Sequence, residues 1–372
     1  MDVLRARPDD ETTFVPKAPG SFQRGANNVQ HWITDADFPA EPGRYHVYVN
    51  YGCGWCHQLL GVLAVRGLYR SDDKDKDTPV TVTHVGCQRV GGPRGTWEYQ
   101  GYAIPAGADA TGLGLSCMRD VYNVGTPSGR DYGVNQLTIP VLVDKTTRRV
   151  VSNDPAQIML MFDFLASELG GSGDSMYPPE LRADIEAVND IVFPGINNGV
   201  YCCWFGGRPG DAAFDEAFPL VQDALNWLEA KLESNASNGK GPYLLGTRSP
   251  TLADLRAFPH LFRFDGIYHT LMLKGHGSRL FGDADGPADP PPFPRLAKWI
   301  SETMFGLPAI RSTCDLQVAT RFYRTDLPMA DSDAHYDHER LASGAWLPTR
   351  DEWALKRQAE GMSEAQIEVK TK

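Results

Sequence analysis

The stretch Tyr45–Leu59 constrains the fold of this chain more than any other. It reads Tyr-His-Val-Tyr-Val-Asn-Tyr-Gly-Cys-Gly-Trp-Cys-His-Gln-Leu. The alternating β-branched and aromatic residues of His46–Tyr51 predict a strand. A glycine-bounded turn follows at Gly52–Gly54, and Leu59, Leu60, Val62, Leu63, Val65 and Leu68 then carry a helical pattern. Cys53 and Cys56 therefore fall where a strand hands over to the first turn of a helix. Backbone N–H groups are unpaired there and the helix dipole is positive, so a thiolate is stabilised and the thiol pKa falls.

Strand, CxxC and helix in this order form a thioredoxin-like redox motif. Two other readings stay open on the motif alone. Half of a zinc site would need a second ligand pair; Cys202 and Cys203 are adjacent, and Cys87, Cys117 and Cys314 stand alone. Two buried, inert cysteines are the plainer alternative.

The surrounding pattern extends the motif into a domain. The charge run Asp72–Asp77 is a solvated loop. Val80–Val85 alternates and predicts a second strand, which completes a β-α-β unit with a right-handed crossover if the strands are parallel. Residues 86–135 are glycine-rich and poorly periodic, and read as a long functional loop holding Trp97, Tyr99, Tyr102, Arg119 and Tyr122. Arg119-Asp120 would open or close a short helix there, with a solvated arginine as the plain reading. Leu137–Val143 predicts a third strand, with Pro140 suggesting a cis bond after Ile139 at its start. Lys145–Arg149 is a charged turn and Val150-Val151 a fourth strand. Ser152-Asn153-Asp154 offers capping oxygens for a helix through Leu165, and its N-terminus is an anion site.

Residues 168–178, rich in glycine and serine, mark a linker. Beyond it the periodicity is helical: Leu181–Val192, then Phe214–Leu232 with apolar residues three and four apart. Thr251-Leu-Ala-Asp254 is a capping box with Asp in the place of Glu, opening a helix through Phe262. Leu296–Phe305 and Pro308–Arg311 give further short helices. The expected fold class is α/β plus all-α, with an N-terminal thioredoxin-like domain and a C-terminal helical domain. The expected boundaries are an N-terminal arm at 1–43, with Phe22, Trp32, Ile33 and Phe38 as anchors, then 44–168, 178–328 and a polar extension at 329–372.

The chain has 372 residues, ample for two domains, and a net charge of −11 spread along its length, which argues against nucleic acid as partner. No apolar run reaches the roughly 20 residues that span a bilayer, and Met1–Gly20 has no signal-peptide core. Seven cysteines without a framework spacing point to a reducing, cytoplasmic setting; the N-terminal composition leaves an organelle address open.

An N-terminal thioredoxin-like domain followed by helices is the architecture of glutathione transferases. Particular segments go further. Phe22-Gln-Arg, Phe38-Pro-Ala-Glu, Gly43-Arg-Tyr-His-Val-Tyr-Val, Cys53-Gly-Trp-Cys-His, Thr138-Ile-Pro-Val-Leu, Val151-Ser-Asn-Asp, Ile196-Asn-Asn-Gly-Val-Tyr201 and Arg263-Phe-Asp-Gly-Ile-Tyr268 resemble, in order and spacing, the glutathionyl-hydroquinone reductases. These are Xi-class, omega-like transferases, and the resemblance runs from about Phe22 to Asp326.

The resemblance implies a glutathione-dependent enzyme, dimeric in this family, with Cys53 catalytic. It also implies that Cys53 attacks the sulfur of a glutathionyl-quinol and passes through a mixed disulfide with glutathione. Trp97, Arg119, Ile139, Pro140, Asn153 and Asp154 then match the glutathione-binding positions. The family's Glu-Ser for the γ-glutamyl group falls on Asp154-Pro155. The aromatic quinol or phenol pocket falls on Phe193, Tyr268 and Phe322-Tyr323, with Tyr268 and Tyr323 as hydroxyl donors and Tyr201 in a packing role.

Several positions depart from the family pattern. Proline becomes Gly54, which is expected to loosen the turn. Alanine becomes Cys56, a candidate second catalytic thiol. Arginine becomes Gln58, which removes a cation and is expected to raise the thiol pKa. Phe193 lacks the family hydroxyl. Two other functions remain as alternatives, a dithiol- or glutathione-dependent reductive dehalogenase of halogenated phenols using Cys53 and Cys56, and a non-catalytic binding protein of the same fold.

Overall fold

Strand β1 (Tyr45–Val49) is buried on both faces, and the first half of the protein is built outward from it. The computed structural model describes residues 29–69, 78–90, 98–125, 137–282 and 290–323. Helix α1 (Gly54–Val65) follows β1, and β2 (Thr81–His84) returns parallel to it with His46 opposite Thr81. On its other side β1 pairs antiparallel with β5 (Val141–Asp144), which pairs antiparallel with β6 (Arg149–Ser152), so the sheet order is β2-β1-β5-β6. The Ile139–Pro140 peptide is cis, and β5 starts just after it. Helix α3 (Pro155–Phe164) packs against α1. The β-α-β then β-β-α order expected from sequence is the order observed.

Residues 29–33 close the far edge of the sheet. Gln30 bridges Ser152, and the His31 N–H donates to Val151 O. Ile33 and Phe38 are buried anchors. Phe22, the 72–77 run, Trp97 and the 329–372 extension lie outside the described residues.

The 86–135 segment is more regular than expected. It holds an antiparallel hairpin, β3 (Gly86–Val90) and β4 (Glu98–Ala103), and helix α2 (Met118–Gly125). One carboxylate organises the turn between them. Asp109 accepts from the Tyr48 hydroxyl of β1 and from the N–H groups of Thr111, Leu113 and Leu115. A glycine-rich sequence is thus tied to the central strand by one acid, beside the buried Tyr102, Ile104, Met118, Val121 and Tyr122.

The stretch read as a linker is also held. The buried Asp163 accepts from Ser175 Oγ and Met176 N and faces Arg66 Nε at 3.3 Å. The helical half follows: α4 (Arg182–Val192), α5 (Gly199–Phe205), α6 (Ala212–Ser237), α7 (Leu252–Phe262), α8 (Pro294–Lys298), α9 (Pro308–Arg311) and α10 (Leu316–Arg321). α6 runs past Leu232, the last apolar position of its pattern, to Ser237. The Thr251/Asp254 capping box is formed, and the same carboxylate accepts from Leu244 N.

Three helical segments are wound wider than α: Phe193–Asn197, Phe264–Met272 and Trp299–Met304. Their backbone bonds reach five residues back, as from Tyr268 N to Arg263 O and from Asn198 N to Phe193 O. Wide turns of this kind gather at functional sites. Two of them carry Phe193 and Tyr268. α7 lies against α1, which brings the end of α7 and the wide segment after it over the Cys53 turn.

Candidate active site

Cys53 is the N-cap residue of α1, and Cys56 lies one turn further on. Asn50 shapes the turn before them: its Oδ1 accepts from Gly52 N at 2.8 Å, its Nδ2 donates to Val85 O, and its backbone carbonyl accepts from Cys53 N. Gly52 has no alternative here, since a Cβ would come within 2.2 Å of Phe322 Cβ. Phe322, just beyond α10, thus packs over the backbone that presents the thiol.

The Cys53 sulfur is pulled down to a pKa of about 7. The facing Cys56 thiol, hydrogen-bonding to the thiolate, is the largest cause, and burial opposes it. The N–H groups of Cys56 and Trp55 and the charge of Arg263 also favour the anion, although neither N–H makes an aligned cap bond. Cys56 is pushed up, first by burial and then by the neighbouring Cys53. The pair is therefore asymmetric, with one thiol ionisable near neutrality and one held protonated.

Sequence reasoning missed Arg263 as a site residue. Its guanidinium is fully buried and donates to Gly52 O (3.0 Å), Tyr51 O (3.0 Å), Pro259 O (2.7 Å) and His57 Nδ1 (2.8 Å). It both fixes the turn and places a cation by Cys53. A cation thus reaches Cys53 from the other half of the protein, with Gln58 neutral. Gln58 itself is buried, and its amide donates to Arg256 O. A charged residue set among Leu261, Phe262 and Phe264 was the available signal.

Above the thiol lie three tyrosines. The Tyr323 hydroxyl is 2.6 Å from that of Tyr201 and 3.3 Å from that of Tyr268. Tyr201, expected only to pack, is thus joined to the hydroxyl cluster. Burial pushes the phenols of Tyr268 and Tyr323 well up, and the charge of Cys53 adds to the shift in both. They stand as neutral O–H donors close to the thiolate. A wall of rings adjoins them: Trp55 lies 5.0 Å from His260 and 5.8 Å from Phe193. Gly54 is closely covered from the helical half. A Cβ on it would meet His260 at 3.0 Å and the Tyr268 hydroxyl at 3.1 Å, so its bareness lets both close onto the start of α1.

Four of the residues matched to glutathione binding lie just before β5 and between β6 and α3. Ile139 and Pro140 precede β5 and are buried. Asn153 is buried, with Oδ1 accepting from Val29 N and Nδ2 donating to Thr138 Oγ1. Asp154 is the N-cap of α3 and accepts from Ala156 N and Gln157 N. Arg119 lies half-buried on α2.

The family model for the glutathione S-transferase C-terminal domain matches residues 211–302. The glutathionyl-hydroquinone reductase PcpF of Sphingobium chlorophenolicum is 33% identical over 250 residues, covering 67% of this chain and 71% of PcpF. The crystal structure of the glutathione-S-transferase Xi from Phanerochaete chrysosporium matches with a TM-score of 0.61 and 31% identity, over 81% of this chain and 92% of that one. The glutathione-bound structure of YqjG, a glutathione transferase homolog from Escherichia coli K-12, matches with a TM-score of 0.62 and 26% identity, over 79% and 83%. On these matches the chain belongs to the glutathionyl-hydroquinone reductases, the Xi class of glutathione transferases.

Proposed function

We propose that this protein uses glutathione to reduce glutathionyl-hydroquinones, or closely related aromatic thioethers, through a mixed disulfide on Cys53. The observation that carries the reading is the Cys53 thiol, pulled down to about 7 and set beside two neutral phenols, Tyr268 and Tyr323. A good sulfur nucleophile has its pKa near the working pH.

In the proposed first step the substrate reacts as its keto tautomer. The Cys53 thiolate attacks the glutathionyl sulfur, and an S–S bond forms as the carbon–sulfur bond breaks. The released electron pair restores the aromatic ring as a quinol oxyanion, which accepts a hydrogen bond and then a proton from the tyrosine hydroxyls. In the second step a glutathione thiolate attacks the mixed disulfide, frees Cys53 as thiolate and leaves as glutathione disulfide. The proton lost by that glutathione balances the one taken up by the quinol. Ile139, Asn153 and Asp154, with Trp97 and Arg119, are the proposed glutathione contacts, and Trp55, Phe193 and His260 the proposed aromatic wall.

The test is turnover of a glutathionyl-hydroquinone with excess glutathione, followed by chromatography. Hydroquinone and glutathione disulfide should appear in equal amounts, and neither should appear with Cys53→Ser. Absence of hydroquinone with the wild type would overturn the reading.

A further inference from the structure

Cys56 forms no covalent bond in that two-step cycle, although its thiol is the largest cause of the low Cys53 pKa. Residues three apart on a helix are neighbours on one face, so Cys56, in the first turn of α1, is a neighbour of the N-cap Cys53. Cys56 is wholly buried, while Cys53 keeps 8% of its surface. Cys56 therefore cannot meet a substrate directly. What it meets is whatever sulfur is bonded to Cys53. Its own sulfur receives the Asn50 N–H at 3.4 Å, a donor suited to a developing thiolate.

We infer that Cys56 is a resolving thiol, which displaces glutathione from Cys53 and closes a Cys53–Cys56 disulfide at the start of α1. This rests on the proposed Cys53 chemistry and deepens it. The Cys56 sulfur attacks the Cys53 sulfur of the mixed disulfide, and a new S–S bond forms as the bond to glutathione breaks. Glutathione leaves with the proton that Cys56 gives up. The two protein thiols are oxidised, and the glutathionyl sulfur is reduced to thiol. Free glutathione reopens the disulfide by the same steps in reverse, and a second glutathione leaves as part of glutathione disulfide.

The arrangement also times the step. In the resting protein burial, and then the hydrogen bond and charge of Cys53, keep Cys56 protonated. Once Cys53 is bonded to glutathione its negative charge is gone. The Asn50 N–H and Arg263, which both favour a Cys56 anion, remain. The first step thus removes the part of the upward shift that comes from Cys53, while the part that comes from burial stays. A consequence is that the reduced protein carries one full reducing equivalent pair of its own.

The experiment is a single turnover. The reduced full-length protein, freed of glutathione, is mixed with a glutathionyl-hydroquinone. Free glutathione is then measured beside intact mass. The wild type should release one hydroquinone and one glutathione per chain and lose two hydrogens. Cys56→Ser and Cys56→Ala should release the hydroquinone but keep glutathione bonded to Cys53. A wild type that holds a lasting glutathione adduct, with no internal disulfide, overturns the inference and leaves the Cys53 reading standing. No hydroquinone from any form overturns both. Glutathione disulfide in place of the substrate gives the same contrast by mass and does not depend on the aromatic group, and the wild-type result decides the matter even if a Cys56 variant fails to fold.

Discussion

His57 Nδ1 accepts a 2.8 Å hydrogen bond from Arg263 Nη1, and this fixes the state of both groups. An imidazole that accepts at Nδ1 is neutral, with its proton on Nε2, and burial and Arg263 hold the His57 pKa well down. Nε2 then donates to Thr313 Oγ1 at 2.9 Å, and that hydroxyl donates to Ile310 O. Among the described residues, the hydrogen bonds of Arg263 go to three carbonyl oxygens and this ring, none of them a carboxylate. Its positive charge is therefore left to act on the Cys53 thiolate.

Replacing Arg263 should separate these roles. Arg263→Gln removes the cation, so the Cys53 thiol should titrate nearer the ordinary value of about 8.5. It also strands carbonyls of Tyr51, Gly52 and Pro259, each at a cost of about 1–3 kcal/mol. Arg263→Lys keeps the charge but cannot reach all four acceptors, so it should hold the thiol pKa better than it holds stability. Alkylation rate against pH reads the first effect, and urea unfolding the second. Equal thiol pKa values in the wild type and Arg263→Gln would remove Arg263 from the site.

The depressed Cys53 pKa makes stability pH-dependent with a definite sign. In the unfolded chain the thiol titrates at about 8.5, and in the folded protein at about 7. The stabilisation is fully present above the unfolded value and is lost as pH falls through the folded one. Cys56 is shifted the other way, so it costs stability only as the unfolded thiol ionises, above about 8.5. Under reducing conditions the denaturant midpoint should rise from pH 6.5 to about 8.5. In Cys53→Ser this rise should shrink.

Gly54→Ala tests how closely His260 and Tyr268 approach α1. The added methyl would stand at 3.0–3.1 Å from both, so the two must shift by a few tenths of an ångström. Iodoacetamide alkylation of Cys53 should change little, because the cap and Arg263 are untouched. Turnover of the aromatic substrate should fall severalfold, because near-attack positioning is sensitive to small displacements. Loss of both in parallel would instead mean that the turn itself has moved.

Much of this was legible locally. The strand, the thiol turn and α1 follow one another within Tyr45–Val65, and the caps at Asp154 and Thr251 lie within a few residues of the groups they satisfy. The fold class and family followed from such segments. The β3–β4 hairpin was not legible, because its polar strands form a two-stranded sheet apart from the central one and the adjoining turn is secured by Asp109 reaching Tyr48, 61 residues away. Of the wide helical segments only Trp299–Met304 falls inside an expected helix, while Phe193–Asn197 and Phe264–Met272 lie just past the helices expected to end at Val192 and Phe262. Arg263 takes its meaning from carbonyls more than 200 residues distant, 211 in the case of Gly52.

The tyrosine cluster should behave as a unit with Tyr323 at its centre, because that hydroxyl reaches both others. Tyr323→Phe leaves Tyr201 and Tyr268 each without this partner, whereas Tyr201→Phe breaks one link only. The first should cost more stability, on the order of 1–3 kcal/mol, and lower turnover by about a hundredfold if the hydroxyls supply the proton. The double variant should lose less than the sum of the singles. Full activity in Tyr323→Phe would take proton donation away from this cluster.

Asp154 occupies a position where a structural and a binding role overlap. Its Oδ1 caps α3 through Ala156 N at 2.9 Å, and replacing a cap by alanine costs about 1 kcal/mol. The same carboxylate is the proposed partner of the glutathione amino group. Asn caps a helix about as well as Asp but carries no charge. Asp154→Asn should therefore keep the wild-type unfolding midpoint while the KM for glutathione rises severalfold and kcat at saturation holds. Asp154→Ala should lose both stability and affinity. If Asp154→Asn leaves the KM unchanged, the cap is the residue's whole function, and the γ-glutamyl group must be held by other residues.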